Sequence, residues 1–166
     1  MDKDVAGPSK NCPADVIFVV DKSRTVGSGN FALLKSFLSR FVSKLDIDSG
    51  NTRFGVVPYS IFIYAREAFN LSTHTSIASV QSAIESLTRR RWFGFTFTHR
   101  ALRYVRTTML TSAAGDRSDV LNVVVVLTDG KSTYAAGTEV CTVTKPCFPH
   151  VLTNCVEIVL SLICQR

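Results

Sequence analysis

The chain has no apolar run approaching the roughly 18 residues that a membrane-spanning helix requires, so the sequence predicts no membrane span. Met1 to Lys10 are polar and lack the apolar stretch of a secretory signal; either a leader has been removed or the chain is a piece of something larger. Charged residues are few, 19% against 46% hydrophobic, which rules out wholesale disorder. Internal repeats and low-complexity tracts are absent. So is a phosphate-binding loop with its lysine, and no nucleophile–base pair stands out, so an enzyme is not expected. Basic residues are dispersed and no aromatic-stacking motif accompanies them, so nucleic acid is not an expected partner.

What remains is a chain of 166 residues, the length of one domain, able to bury about 70% of its unfolded surface. Its net charge of +6 favours acidic partners weakly. Residues 1–11 read as a flexible leader around Gly7-Pro8-Ser9, and residues 12–166 as the domain. Five cysteines, Cys12, Cys141, Cys147, Cys155 and Cys164, permit two disulfides with one thiol over, or a bridge to another chain. Cys141, Cys147, His150 and Cys155 lack the tight C-x2-4-C pair with which zinc fingers begin, so disulfides are the expectation. Asn70-Leu71-Ser72 is the only glycosylation sequon, and it agrees with secretion.

Val16 to Val20 and Val120 to Leu127 are uninterrupted apolar runs rich in β-branched residues, the pattern of strands buried on both faces. Between them Phe31, Leu34, Phe37, Leu38, Phe41, Val42 and Leu45 recur at helical spacing, with Ser28 or Asn30 available as a cap. Arg53 to Val57 reads as a second strand and Ile61 to Ala68 as a third, antiparallel to it. Ile77, Val80, Ala83, Ile84 and Leu87 mark a second helix; Ala101, Leu102, Val105, Met109 and Leu110 mark a third. Phe31, Phe37 and Phe41 are assigned to the core, Trp92 to a core contact beside a solvated loop, and His74 and His99 to the surface. The order predicts an α/β fold, an open, mostly parallel twisted sheet with helices on both faces and one antiparallel edge strand.

In such sheets ligands bind beyond the carboxyl ends of the strands. The segments arriving there are Asp21-Lys22-Ser23-Arg24-Thr25, Gly94-Phe95-Thr96-Phe97-Thr98 and Thr128-Asp129-Gly130. They bring two carboxylates and several hydroxyls, with neither histidine nor cysteine. An all-oxygen set of that charge suits a hard divalent cation, and a coordination position left to water can be taken by a partner's carboxylate. The plainer alternative is that Asp21 and Asp129 cap loops whose hydroxyls make turn hydrogen bonds. Gly27-Ser28-Gly29-Asn30-Phe31-Ala32 fits a dinucleotide fingerprint, but six residues separate it from Val20, and the second strand closes on Tyr59-Ser60 without an acidic residue.

These three segments resemble von Willebrand factor type A domains. Asp21-Lys22-Ser23-Arg24-Thr25 is similar to their DxSxS motif with threonine in the last place, Gly94 to Thr98 to their Gly-x-Thr-x-Thr segment, and Leu127 to Gly130 to their fourth-strand ending. The match runs from Cys12 to about Ser132 and is especially close to matrilins and the collagens that carry these domains. The resemblance implies a Rossmann-like fold and a metal-ion-dependent adhesion site (MIDAS) made by Asp21, Ser23, Thr25, Thr96 and Asp129, holding Mg2+ or else Mn2+ or Ca2+. It further implies a secreted, extracellular-matrix adhesion module that binds a collagen-like or acidic matrix protein or a cell-surface partner. The alternative is a metal-independent structural module of a matrix or biomineral network. Lys22 and Arg24 add positive charge near the rim, and Phe95 and Phe97 stand where the family often has small or polar residues. Arg89, Arg90 and Arg91 could meet a sulfated glycan, though a solvated loop is the simpler reading.

After Gly130 the resemblance weakens. Lys131 to Asn154 shows poor helical periodicity and carries Pro146 and Pro149, and Val156 to Ile163 reads as a fifth strand. The family's last strand and closing helix have no counterpart, which predicts exposed apolar surface, a bare strand edge, and marginal stability or self-association. Cysteines flanking related matrix domains often pair, which implies Cys12 with Cys164 or Cys155.

Overall fold

The computed structural model describes residues 13–89, 95–129 and 132–133, and the backbone of 156–162. The expected leader, all five cysteines, Arg90, Arg91, Trp92, Gly94, Gly130 and most of the segment after Lys131 lie outside these residues.

Four strands, β1 (Ala14–Asp21), β2 (Thr52–Tyr59), β3 (Leu121–Thr128) and β4 (Val156–Leu162), form one sheet in the order β2-β1-β3-β4. Every pairing is parallel, with Val16 opposite Phe54 and Val123, and Val124 opposite Ile158. Three helices, α1 (Gly27–Val42), α2 (Ile77–Ser86) and α3 (Thr98–Tyr104, running on into a π turn at Val105–Met109), connect them. The strand expected over Val156 to Ile163 is β4.

Side chains alternate along β1, so its continuous apolar run feeds two cores at once. Val16, Phe18 and Val20 face α1 and α2, meeting Phe31, Leu34, Leu38, Val80 and Ile84. Ile17 and Val19 face α3, meeting Ala101, Val105 and Met109. Each of these large side chains contributes about 1.5–3 kcal/mol by leaving water. Gly55 supplies room on the α3 side: a Cβ there would lie 3.1 Å from the Met109 methyl and 3.2 Å from the Phe69 carbonyl.

Four expectations need correction. Ile61 to Ala68 does not form a strand; it meets the β2 edge in one single antiparallel bridge, Tyr59 with Ile63, and Phe69 just after it makes another with Val56. Val56 exchanges both backbone bonds with Phe69, so Pro58, two residues on, addresses the same outer edge, and proline has no N–H to extend that ladder. The chain curls instead, Glu67 and Ala68 donating back to the Tyr64 carbonyl. Neither Ser28 nor Asn30 caps α1, which grows directly from a 3-10 turn at Arg24–Val26 anchored by buried Val26. Phe37 is 47% exposed and not core, whereas Phe31 is buried and Phe41 packs edge-on against Phe18. His74 and His99 are half-buried rather than on the surface, each edge-on to a phenylalanine, Phe69 and Phe97.

Candidate metal-dependent adhesion site

β1 and β3 are neighbours in register, Val20 opposite Leu127, so Asp21 and Thr128 leave the sheet side by side. The Thr128 hydroxyl donates to Asp21 Oδ2 at 2.6 Å, and the Ser23 backbone N–H donates to Oδ1 at 2.7 Å. This fixes the carboxylate and folds the next three residues back over it. Ser23 Oγ lies 2.9 Å from Thr25 Oγ1, and Thr25 donates to Asp129 Oδ1 at 3.1 Å. A hydroxyl has one proton, so with Thr25 donating to Asp129, Ser23 donates to Thr25. The protons point along the chain toward Asp129, which leaves both Ser23 lone pairs and one of Thr25 for another partner.

Four of the five expected residues are thus joined in one network across 104 positions of sequence. Asp21 and Ser23 are fully buried, Asp129 is half-buried and Thr25 is exposed, so the network opens to solvent at one side. Thr96 reaches the same rim by its backbone. Its N–H donates to the Thr133 hydroxyl at 2.9 Å, and its carbonyl accepts from the Thr133 N–H at 2.8 Å and the Ser132 hydroxyl at 3.2 Å. The Phe97 N–H ties the loop to the Ser60 carbonyl at the end of β2. Among the described residues, no hydrogen bond joins the Thr96 side chain to the other four.

Burial pushes the Asp21 carboxyl above its ordinary value; the bonds from Thr128 and Ser23 oppose the rise, and the charge of Asp129 adds to it. A cation between the two carboxylates would remove that tension. Burial, then the nearby Asp21 charge, also keeps the Tyr59 hydroxyl protonated far above the usual range, where it shares a 3.0 Å hydrogen bond with Thr98. The donors fit a hard divalent ion: two carboxylates, hydroxyls with unshared lone pairs, and an open side for water.

Lys22 does not add charge to the rim. Its side chain is fully buried, paired with Glu67 and set over the Tyr64 ring, 4.4 Å from the centroid. Alternation along the strand end turns it away from Asp21 and Ser23. Positive charge at the rim comes instead from Arg24 and Arg100, both exposed, the latter 4.5 Å over the Phe97 ring. Arg89 donates to the Arg24 carbonyl at 3.1 Å. Phe95 is 52% exposed beside Phe97.

The sequence places Thr128 at this rim but not in the expected ion-holding set, and it gives no sign of Ser132 and Thr133 as parts of the site or of Lys22–Glu67 as its support. Thr128 was within reach, because aligning the apolar runs of β1 and β3 places it opposite Asp21. The other contacts join separate loops and have no periodic signal.

An α/β sheet with carboxylates and hydroxyls gathered on its carboxyl rim is the architecture that comparison with known proteins also finds. The von Willebrand factor type A domain family matches residues 15–146, and the chain belongs to that family. Among relatives, mouse vitrin is 36% identical over 120 residues, covering 72% of this chain and 18% of vitrin. The mouse collagen alpha-4(VI) chain is 38% identical over 126 residues, covering 75% and 5%, and mouse matrilin-1 is 36% identical over 122 residues, covering 72% and 24%. The chain therefore spans less than a quarter of the length of vitrin and of that collagen. Proximal thread matrix protein 1 of the mussel byssus superposes with a TM-score of 0.68 at 25% identity, over 75% of this chain and 32% of its own. A second structure of that protein, with a zinc-occupied MIDAS motif, gives 0.67 at 25% identity, over 75% and 33%.

Proposed function

We propose that this domain is an extracellular-matrix adhesion module whose carboxyl rim holds a divalent cation, Mg2+ or else Mn2+ or Ca2+, and through it a carboxylate of a protein partner. The observation that carries this reading is the unbroken chain from Asp21 through Ser23 and Thr25 to Asp129, two remote carboxylates linked by the Ser23 N–H and two hydroxyls that keep lone pairs to spare. Asp21, Ser23, Thr25 and Asp129 would hold the ion or order its waters, with Thr96 contributing from the facing loop. The ion would supply a Lewis-acidic position for the incoming carboxylate. Bonds would neither form nor break in the partner, and the domain would work by binding alone. Arg24 and Arg100 favour an acidic ligand, and exposed Phe95 offers apolar contact beside it. The likeness to collagen and matrilin chains, and to a byssal protein with an occupied MIDAS, supports both the matrix setting and the metal.

A second reading rests on the same hydrogen bonds. Both Asp21 oxygens already accept from Thr128 and Ser23, so the loops are closed by protein alone, as a metal-independent scaffold requires. Retention of this chain on immobilised collagen VI, with and without chelator and repeated with Asp129→Ala, separates the two. Retention abolished by both treatments supports the cation site; retention that survives both makes the domain a scaffold.

A further inference from the structure

The sequon Asn70-Leu71-Ser72 lies in the loop between β2 and α2, and its geometry has no part in the rim. Leu71 is 1% exposed, anchored in the core beneath α3, while Ser72 and Thr73 are exposed and Asn70 is half-buried. The alternation turns the first and third sequon residues outward and pins the middle one inward. Asn70 Oδ1 accepts from the Ser72 N–H at 3.3 Å, the Ser72 hydroxyl at 3.2 Å and the Thr73 hydroxyl at 2.6 Å. A backbone N–H can only donate, so the atom facing Ser72 is the amide oxygen. Nδ2 therefore faces away from the loop and donates to no group among the described residues.

Two further features surround it. A groove of about 410 Å³ opens beside Asn70, lined among others by Phe69, Thr73, Tyr104, Thr107, Thr108 and Thr111, so it offers a sugar both hydroxyls and aromatic surface. Ser72 rests against Gly115 in the turn leading to the amino end of β3, so the loop stands at the end of the sheet away from the adhesion rim. A bulky group there leaves the rim open.

We infer that Asn70 is an N-glycosylation site, with the first sugars lying along the threonine-lined groove; this rests on the extracellular setting proposed above. The co-reactant is an oligosaccharide linked to a lipid pyrophosphate, met during translocation. Nδ2 bonds to the sugar C1, the C1–O bond to the pyrophosphate breaks, the pyrophosphate leaves as the anion, and one Nδ2 proton passes to the transferase. The fold accommodates the product without rearrangement, because the replaced hydrogen was bonded to no described group.

The test is expression of the full chain behind a host secretion leader in animal cells, followed by peptide-N-glycosidase digestion and peptide mass spectrometry. The transfer occurs on translocation, so chain retained inside the cell is read as well as chain released. The expected result is a single mobility shift removed by the glycosidase, lost in Asn70→Gln and in Ser72→Ala, and kept in Ser72→Thr. Cation titration of Asn70→Gln should match the wild type, which keeps this result separate from success or failure at the rim. Translocated chain with unmodified Asn70, or a shift that persists in Asn70→Gln, would overturn the inference.

Discussion

Gly50 and Gly115 both hold a positive φ, +79° and +90°, and differ in their surroundings. A Cβ at Gly50 meets nothing within 4 Å, whereas at Gly115 it would lie 2.7 Å from the Ser72 Cβ and 2.8 Å from its backbone nitrogen. Gly50→Ala should therefore lose only the left-handed penalty, about 1 kcal/mol. Gly115→Ala adds a clash with backbone and should lose about 2–4 kcal/mol in urea unfolding. Equal losses would mean that the Ser72 contact yields freely. At Glu67, burial alone would raise the carboxyl, but bonds from Lys22 and from the Thr88 N–H and hydroxyl bring it below its ordinary value. A depressed carboxylate contributes stability that is present above its unfolded value and lost as pH falls through the folded one. Acid titration of stability below about pH 4.5 should accordingly be steeper in the wild type than in Glu67→Gln, and identical slopes would refute the pairing.

Along α1 the residues at helical spacing separate into two environments. Leu38 is fully buried between β1 and α2, and Leu38→Ala should lose about 2–5 kcal/mol. Phe37, one position earlier, stands 47% exposed, and Phe37→Ser should change stability by no more than about 0.5 kcal/mol. Thermal melts of both variants check the contrast. Element by element, the strands with doubly buried runs and the helices with apolar stripes were legible because burial leaves a period in the sequence. Ile61 to Ala68 was not, because its apolar content suits a strand while Pro58, on the neighbouring chain segment, withholds the donor that would pair it. The α1 start was misjudged for a similar reason: Ser28 and Asn30 are good caps, but the preceding 3-10 turn already fixes how the chain begins the helix. The site was legible as chemistry, two carboxylates and hydroxyls at strand ends. Its internal order, which oxygen accepts from which hydroxyl, depends on β1–β3 register and was not.

Across the whole molecule, the two ends of the sheet are built differently. At the amino end, Arg117 ties three segments together. Its guanidinium and backbone bond both oxygens of fully buried Asp15, and it donates to the carbonyls of Ala14, Gly50 and Asn51. Arg117→Ala strands a buried carboxylate and should destabilise the domain by about 3–5 kcal/mol in urea unfolding, with cation binding to the folded protein unchanged. A loss under about 1 kcal/mol would show that water replaces the arginine. The carboxyl end is open and polar, with a raised Asp21 facing Asp129 and hydroxyl protons aligned between them. That division, a locked base and an open rim carrying two carboxylates, is the one that the proposed ion-dependent contact surface would need. Calorimetric titration of the chain with Mg2+ and Mn2+ addresses it most directly: one ion should bind per chain, with affinity at least about tenfold weaker in Thr25→Ala and Asp129→Ala. No heat of binding in the wild type, or equal affinity in all three proteins, would contradict a cation site at this rim.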